Sequence, residues 1–127
     1  MIKIINTELD IFKCKVPKKW GKEIIFHNDK NYCGKLLIFN KGAKFSMHYH
    51  LLKKETWFIK EGTFLIKYID TKDATLYERE LIPGMAIEIN PGDPHQLVSK
   101  TGGIIFEVST QHFDNDSYRI EKGDSQC

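Results

Sequence analysis

The chain has 127 residues, 41% of them hydrophobic and 28% charged, which is the size and balance of one globular domain with a real core. Nineteen Lys and Arg stand against seventeen Asp and Glu for a formal charge of +2, interspersed rather than clustered, which argues against a nucleic-acid partner. No apolar run approaches the roughly eighteen residues of a membrane span, the N-terminus lacks the apolar stretch of a secretion signal, and Cys14, Cys33 and Cys127 share no metal-type spacing, so they read as reduced thiols of a cytoplasmic protein.

In chain order, short runs rich in Ile, Phe, Tyr, Thr and Val alternate with turn signals, the pattern of an all-β sandwich or barrel. Residues 1–17 read as an arm or an added edge strand, and a single domain core spans about 18–113. Strands are expected at 23–27, 35–40, 45–50, 55–60, 63–70, 74–81, 86–89, 95–99 and 104–109, punctuated by Asn40-Lys41-Gly42, Glu61-Gly62, Pro83-Gly84, Asn90-Pro91-Gly92-Asp93-Pro94 and Thr101-Gly102-Gly103. Residues 114–127 form a polar tail, expected to fray at its end.

His48 and His50 are two residues apart, so on a strand both imidazoles share a face. After a turn at residues 51–54, Glu55 opens the next strand. An antiparallel hairpin there sets its carboxylate opposite the histidine pair. A fourth ligand has to come from elsewhere, and His95 follows the tight turn at residues 90–94. Imidazoles with one carboxylate form a borderline set suited to Zn, Mn, Fe, Ni or Co and unsuited to Mg or Ca.

The segment from Gly42 to Gly62 resembles the first motif of the cupin superfamily, Gly-x5-His-x-His-x(3–4)-Glu-x6-Gly, with Gly42, His48, His50, Glu55 and Gly62 at its fixed positions. The second cupin motif, Gly-x5-Pro-x-Gly-x2-His-x3-Asn, is matched at Gly84, Gly92 and His95. It departs at Asn90, where proline is expected, and at Ser99, where asparagine is expected. The resemblance implies an all-β jelly roll, the small double-stranded β-helix of cupins, holding one divalent transition metal on His48, His50, Glu55 and His95.

If His48 and His50 point inward, so do Ser46, Glu55, Trp57 and Ile59, followed on the next strand by Phe64, Ile66 and Tyr68. The opposite face then carries Phe45, Met47, Tyr49, Phe58, Leu65 and Ile69. That apolar outer face calls for a cover, either a second copy of the chain in a homodimer or residues 2–12 of the same chain.

The flanks, Lys18-Lys19-Trp20-Gly21-Lys22-Glu23 and Phe106-Glu107-Val108-Ser109 with Arg119 beyond, resemble the cupin half of bacterial mannose-6-phosphate isomerases. That resemblance implies a sugar or sugar-phosphate isomerase in which the metal acts as a Lewis acid on the substrate carbonyl. Glu107, a charge inside the apolar run 104–108, is the candidate base. Trp57 and Tyr68 are candidate walls for the sugar, and Lys18 and Arg119 are candidates for its phosphate. His112 is read as a loop residue that has an alternative role as acid or base at the barrel mouth. An iron-dependent dioxygenase and a non-catalytic, carbohydrate-binding cupin are the competing classes, because a fold alone does not fix a reaction.

Overall fold

The computed structural model describes residues 1–4 and 15–121. Eleven strands follow in chain order: β1 (Lys15–Lys18), β2 (Gly21–Asn28), β3 (Cys33–Phe39), β4 (Met47–Tyr49), β5 (Glu55–Glu61), β6 (Phe64–Asp70), β7 (Thr75–Leu81), β8 (Ala86–Ile89), β9 (His95–Ser99), β10 (Gly103–Ser109) and β11 (Tyr118–Glu121). Among the described residues no helix is long and apolar enough to cross a membrane.

The strands form two antiparallel sheets, ordered β1-β2-β3-β10-β5-β8 and β11-β4-β9-β6-β7. After β3 the chain changes sheet at every connection except the β6–β7 hairpin, which makes the barrel a jelly roll. The expected all-β architecture is therefore present. Strand parity follows burial: Glu55, Trp57 and Ile59 of β5 face inward, whereas Phe58 and Lys60 face out. Trp20, Leu37, Phe39, Phe45, Trp57, Ile59, Phe64, Leu97 and Ile105 build one core between the sheets. β7, at the edge of its sheet, is exposed over six of its seven residues and carries Glu78, Arg79 and Glu80, charges that discourage pairing with another chain.

Gly62, the last fixed position of the first motif, has φ +84°. A Cβ there would lie 2.0 Å from the carbonyl oxygen of Gly102, so the turn after β5 and the turn before β10 touch backbone to backbone. No other residue fits that approach.

β1 lies at the edge of its sheet within the segment read as an arm or added edge strand, and β11 extends the second sheet into the polar tail by pairing with β4. The end of that tail, residues 122–127, lies outside the described residues. Other expectations need correction. β4 is shorter than residues 45–50. Lys44 makes only an isolated bridge to Val98, so strict alternation is lost at residues 43–46. Phe45 and Met47, expected on the outer face, are buried, and Phe45 belongs to the core.

The histidine pair and Glu55 do not share a hairpin. β4 and β5 lie in different sheets, and Glu55 pairs with Ser109 and Ile89. The carboxylate meets the imidazoles across the barrel interior, because a jelly roll sends consecutive strands to opposite sheets. The outer apolar row does exist, on the first sheet: Phe58 and Phe106 are paired neighbours and are 43% and 39% exposed, with Val108 at 58%. Residues 5–14, which include most of the segment expected to cover it, lie outside the described residues.

Candidate metal centre

Three histidines gather on the inner wall of the second sheet. His48 of β4 and His95 of β9 are direct cross-strand partners, and His50 follows one turn of the pleat after His48. Their ligand atoms all lie within 4.8 Å of one another. His95, which rested on an imperfect motif, is thus placed by register against His48. The departures from that motif are absorbed locally. Gly92 N–H donates to the His50 carbonyl (2.6 Å), tying the 90–94 turn to the histidine strand, and Ser99 Oγ accepts from Gly102 N–H (2.9 Å).

The tautomers are assigned by the backbone. His48 Nδ1 donates to the Ser46 carbonyl (2.7 Å), His50 Nδ1 to the Asp116 carbonyl (2.5 Å) and His95 Nδ1 to the Asp93 carbonyl (2.8 Å). Each Nε2 therefore keeps a free lone pair, the arrangement in which a second hydrogen bond orients a metal-binding imidazole. His95 Nε2 and Glu55 Oε2 are buried with no hydrogen-bond partner, a costly state for polar atoms in a protein interior. Glu55 Oε2 lies 3.3 Å from His50 Nε2, while Glu55 Oε1 accepts from the Trp57 indole N–H (2.6 Å). Glu55 is outside the mutual 4.8 Å group of the histidines, on the facing sheet. Unpaired lone pairs from three imidazoles and one carboxylate are what a borderline divalent ion takes, so the residues present fit such an ion.

Electrostatics point the same way. Burial disfavours the imidazolium and pulls His50 and His95 down to about 4. His48 is lowered well below its ordinary value, first by burial and then by repulsion from His95 and His50. The three rings are neutral at physiological pH and available as ligands.

The centre opens onto a cavity of about 400 Å³ that also holds four of the sequence candidates. Glu107 faces inward from β10 and lies 3.4 Å from Lys53 Nζ and 4.0 Å from Lys35 Nζ; Trp57 donates to it (3.3 Å). Lys18, Trp57 and Arg119 line the same space. Tyr68 does not. It is 39% exposed, stacks on Tyr77, and lines a different cavity of about 450 Å³ between β6, β7, β8 and the start of β9, which His95 also lines. Tyr68 is nonetheless the cross-strand partner of His95, so it sits on the far side of the histidine cluster from Glu107. His112 lines the histidine cavity and is held, not loose. Its N–H donates to Asn28 Oδ1 (2.9 Å), Lys35 Nζ donates to its Nδ1 (3.3 Å), and its Nε2–H donates to Asp114 Oδ1 (3.0 Å).

Sequence reasoning missed Lys35, Lys53, Glu23 and Asp116. Lys35 Nζ pairs with Glu23 at 3.0 Å. Lys53 is buried; burial opposes its charge, but attraction from Glu107, Glu55 and Glu23 prevails and raises its pKa. A lysine inside the apolar run 33–39 was a legible signal of the same kind as Glu107, whereas Lys53 and Asp116 carried none.

Asp116 organises the ligand loop. Its buried carboxylate accepts from the N–H groups of Leu51 (2.9 Å), Leu52 (3.2 Å) and Lys53 (3.1 Å), which fixes the turn between His50 and Glu55. Asp116→Ala is expected to weaken metal binding by about 10–100-fold, as loss of outer-shell support does. A chelator-competition titration measures it, and unchanged affinity would show that the loop holds its shape unaided.

No protein-family model matches the chain. A mannose-1-phosphate guanylyltransferase of Salmonella muenchen is 29% identical over 116 residues, covering 85% of this chain and 22% of that protein, so the chain spans about a fifth of the relative's length. Among solved structures, the capsular polysaccharide assembling protein CapF of Staphylococcus aureus superposes with a TM-score of 0.74 at 18% identity, over 84% of this chain and 34% of that one. Bacillus subtilis oxalate decarboxylase, in a structure concerned with its Mn(II) centres, gives a TM-score of 0.74 at 16% identity, over 84% and 30%. At these identities the likeness is one of architecture, and on architecture the assignment is plain: this chain folds as a cupin barrel.

Proposed function

We propose that the chain is a metal-dependent cupin that binds one divalent transition metal through His48, His50, His95 and Glu55 and acts on a sugar or sugar phosphate as an aldose–ketose isomerase. The observation that carries the metal reading is the set of three imidazoles whose Nδ1 hydrogens are all taken by backbone carbonyls, facing a carboxylate oxygen with no hydrogen bond of its own. The sugar reading is supported by the flanking resemblance and by the relative whose name includes mannose 1-phosphate.

When bound, the ion supplies Lewis acidity to a substrate carbonyl. The chain's own groups do the rest. Glu107 Oε2, held between Lys53 and Lys35, takes a proton from the carbon next to the carbonyl and returns it to the neighbouring carbon. The Trp57 indole N–H steadies both Glu55 and Glu107 in position.

Incubation of metal-loaded protein with a panel of aldose and ketose phosphates in deuterated water tests this. Deuterium is expected at the carbon beside the carbonyl and is expected to vanish in Glu107→Gln. Ligand binding without exchange for any panel member would leave a non-catalytic binding cupin and end the isomerase reading; oxygen uptake would replace it with a dioxygenase.

A further inference from the structure

We infer that the second cavity, the one walled by Tyr68 and His95, is a separate ligand site for a small, uncharged, apolar or aromatic molecule. This site needs neither the ion nor the sugar. β8 is the last strand of one sheet and β7 the last strand of the other, so the jelly roll is not closed along the seam between them. The cavity of about 450 Å³ opens there, within the range of about 300–1,000 Å³ that ligand pockets occupy.

Register turns apolar side chains into this space. Ile87 and Ile89 of β8 pair with the inward-facing Trp57 and Glu55, and directly paired residues share a face. Ile66 and Leu81 meet them from the second sheet, paired with the buried Leu97 and Phe64. These four side chains line the cavity, and the buried ring of His95 and the half-exposed ring of Tyr68 complete its wall.

The charges around the cavity cancel. Asp70 and Asp93 stand against Lys72 and Arg79, and Glu88 is paired with Lys54 at 2.9 Å. Both aspartates are also engaged by the backbone: Asp70 Oδ1 accepts from Lys72 N–H (2.9 Å) and Asp93 Oδ2 from Asn90 N–H (3.3 Å). No net charge is left to select an ion, whereas the apolar floor favours burial of an apolar body. A sugar placed there would hold its hydroxyls against Ile66, Leu81 and Ile87 without partners, which is costly. The histidine cavity differs in kind, since its wall carries Lys35, Lys53, Glu55 and Glu107. The two cavities thus select opposite chemistries on either side of the histidine cluster.

Titration with indole, followed by nuclear magnetic resonance, tests the inference, with mannose as the polar probe. The chain is first stripped of divalent ions, so the outcome is independent of the metal reading. Indole is expected to bind one site per chain with a Kd of about 1 mM or tighter, which is within reach of so small a ligand. Its ring current is expected to move the methyl signals of Ile66, Leu81, Ile87 and Ile89 and the ring signals of His95. Trp20 and Leu37, which line the histidine cavity, are expected to stay unmoved. Mannose is expected neither to move those methyls nor to displace indole. Ile87→Trp fills the cavity from a half-buried position on an edge strand and is expected to weaken indole at least about tenfold. Tyr68→Ala, at a more exposed position, is expected to weaken it about fivefold, the value of one aromatic contact. Absence of saturable binding, shifts confined to Trp20 and Leu37, displacement by mannose, or wild-type affinity in folded Tyr68→Ala protein overturns the inference.

Discussion

A chain carrying alanine at both His48 and His50 is expected to fold and to bind no stoichiometric divalent metal, where the wild-type protein binds one ion per chain. The free energy of a closed structural zinc site is about 10–16 kcal/mol, or on the order of 3 kcal/mol for each of four ligands. Removing two therefore costs at least about 10³-fold in affinity. The fold survives because neither side chain belongs to the apolar core, and because in the metal-free protein burial already disfavours the charged form of both rings. The barrel still rests on the apolar core that includes Phe39, Phe64, Leu97 and Ile105. Elemental analysis after dialysis, with far-ultraviolet dichroism as the folding control, decides the matter. A folded double variant with full metal content would place the ion somewhere else.

Acid is expected to destabilise the metal-free protein between pH 6.5 and 4, before most surface carboxylates titrate. In the unfolded chain these histidines take up protons near their ordinary value of 6.5, while in the fold burial holds His50 and His95 down to about 4. Between those values the unfolded state binds more protons, so stability is fully present above about pH 6.5 and falls as pH drops towards 4. The gap of roughly 2.5 units corresponds to at most about 3 kcal/mol for each histidine. Lys53 near His50 adds to the effect, since a second positive charge there is repelled. Against a total stability of about 5–15 kcal/mol, two such sites bring the metal-free barrel close to unfolding. Urea midpoints of stripped protein at a series of pH values measure the slope, and a His50→Gln, His95→Gln variant is expected to lose most of it. A wild-type midpoint that stays flat from pH 7 to pH 5 would contradict the burial argument.

Both expectations depend on side chains whose positions were legible to very different degrees. The parity of His48, Glu55, Trp57 and Ile59 was readable because side chains alternate with a period of two along any strand. Glu107 stood out as a charge inside an apolar run, but its direction was open in the sequence; it shares its inward face with buried Ile105 and points into the cavity. Phe45 was misread because the period holds only where the ladder is regular, and residues 43–46 are joined to β9 by a single bridge. Tyr68 pairs across the strands with His95 but opens, with it, onto a second cavity instead of the one shared by His48, His50 and Glu107.

What the amino-acid sequence determined by itself is local: the strands, the turn glycines such as Gly62, and the shared face of the two motif histidines. These depend on residues within a few positions of one another, where φ, ψ and alternation are the only variables. The tertiary structure alone decided which groups meet. Asp116 reaches back 66 residues to His50, Lys53 meets Glu107 across 54, and His112 meets Lys35 across 77. Glu55 faces His50 from the opposite sheet instead of from a hairpin neighbour. Such encounters are fixed by the order in which strands are laid into two sheets, and no periodicity along the chain encodes that order.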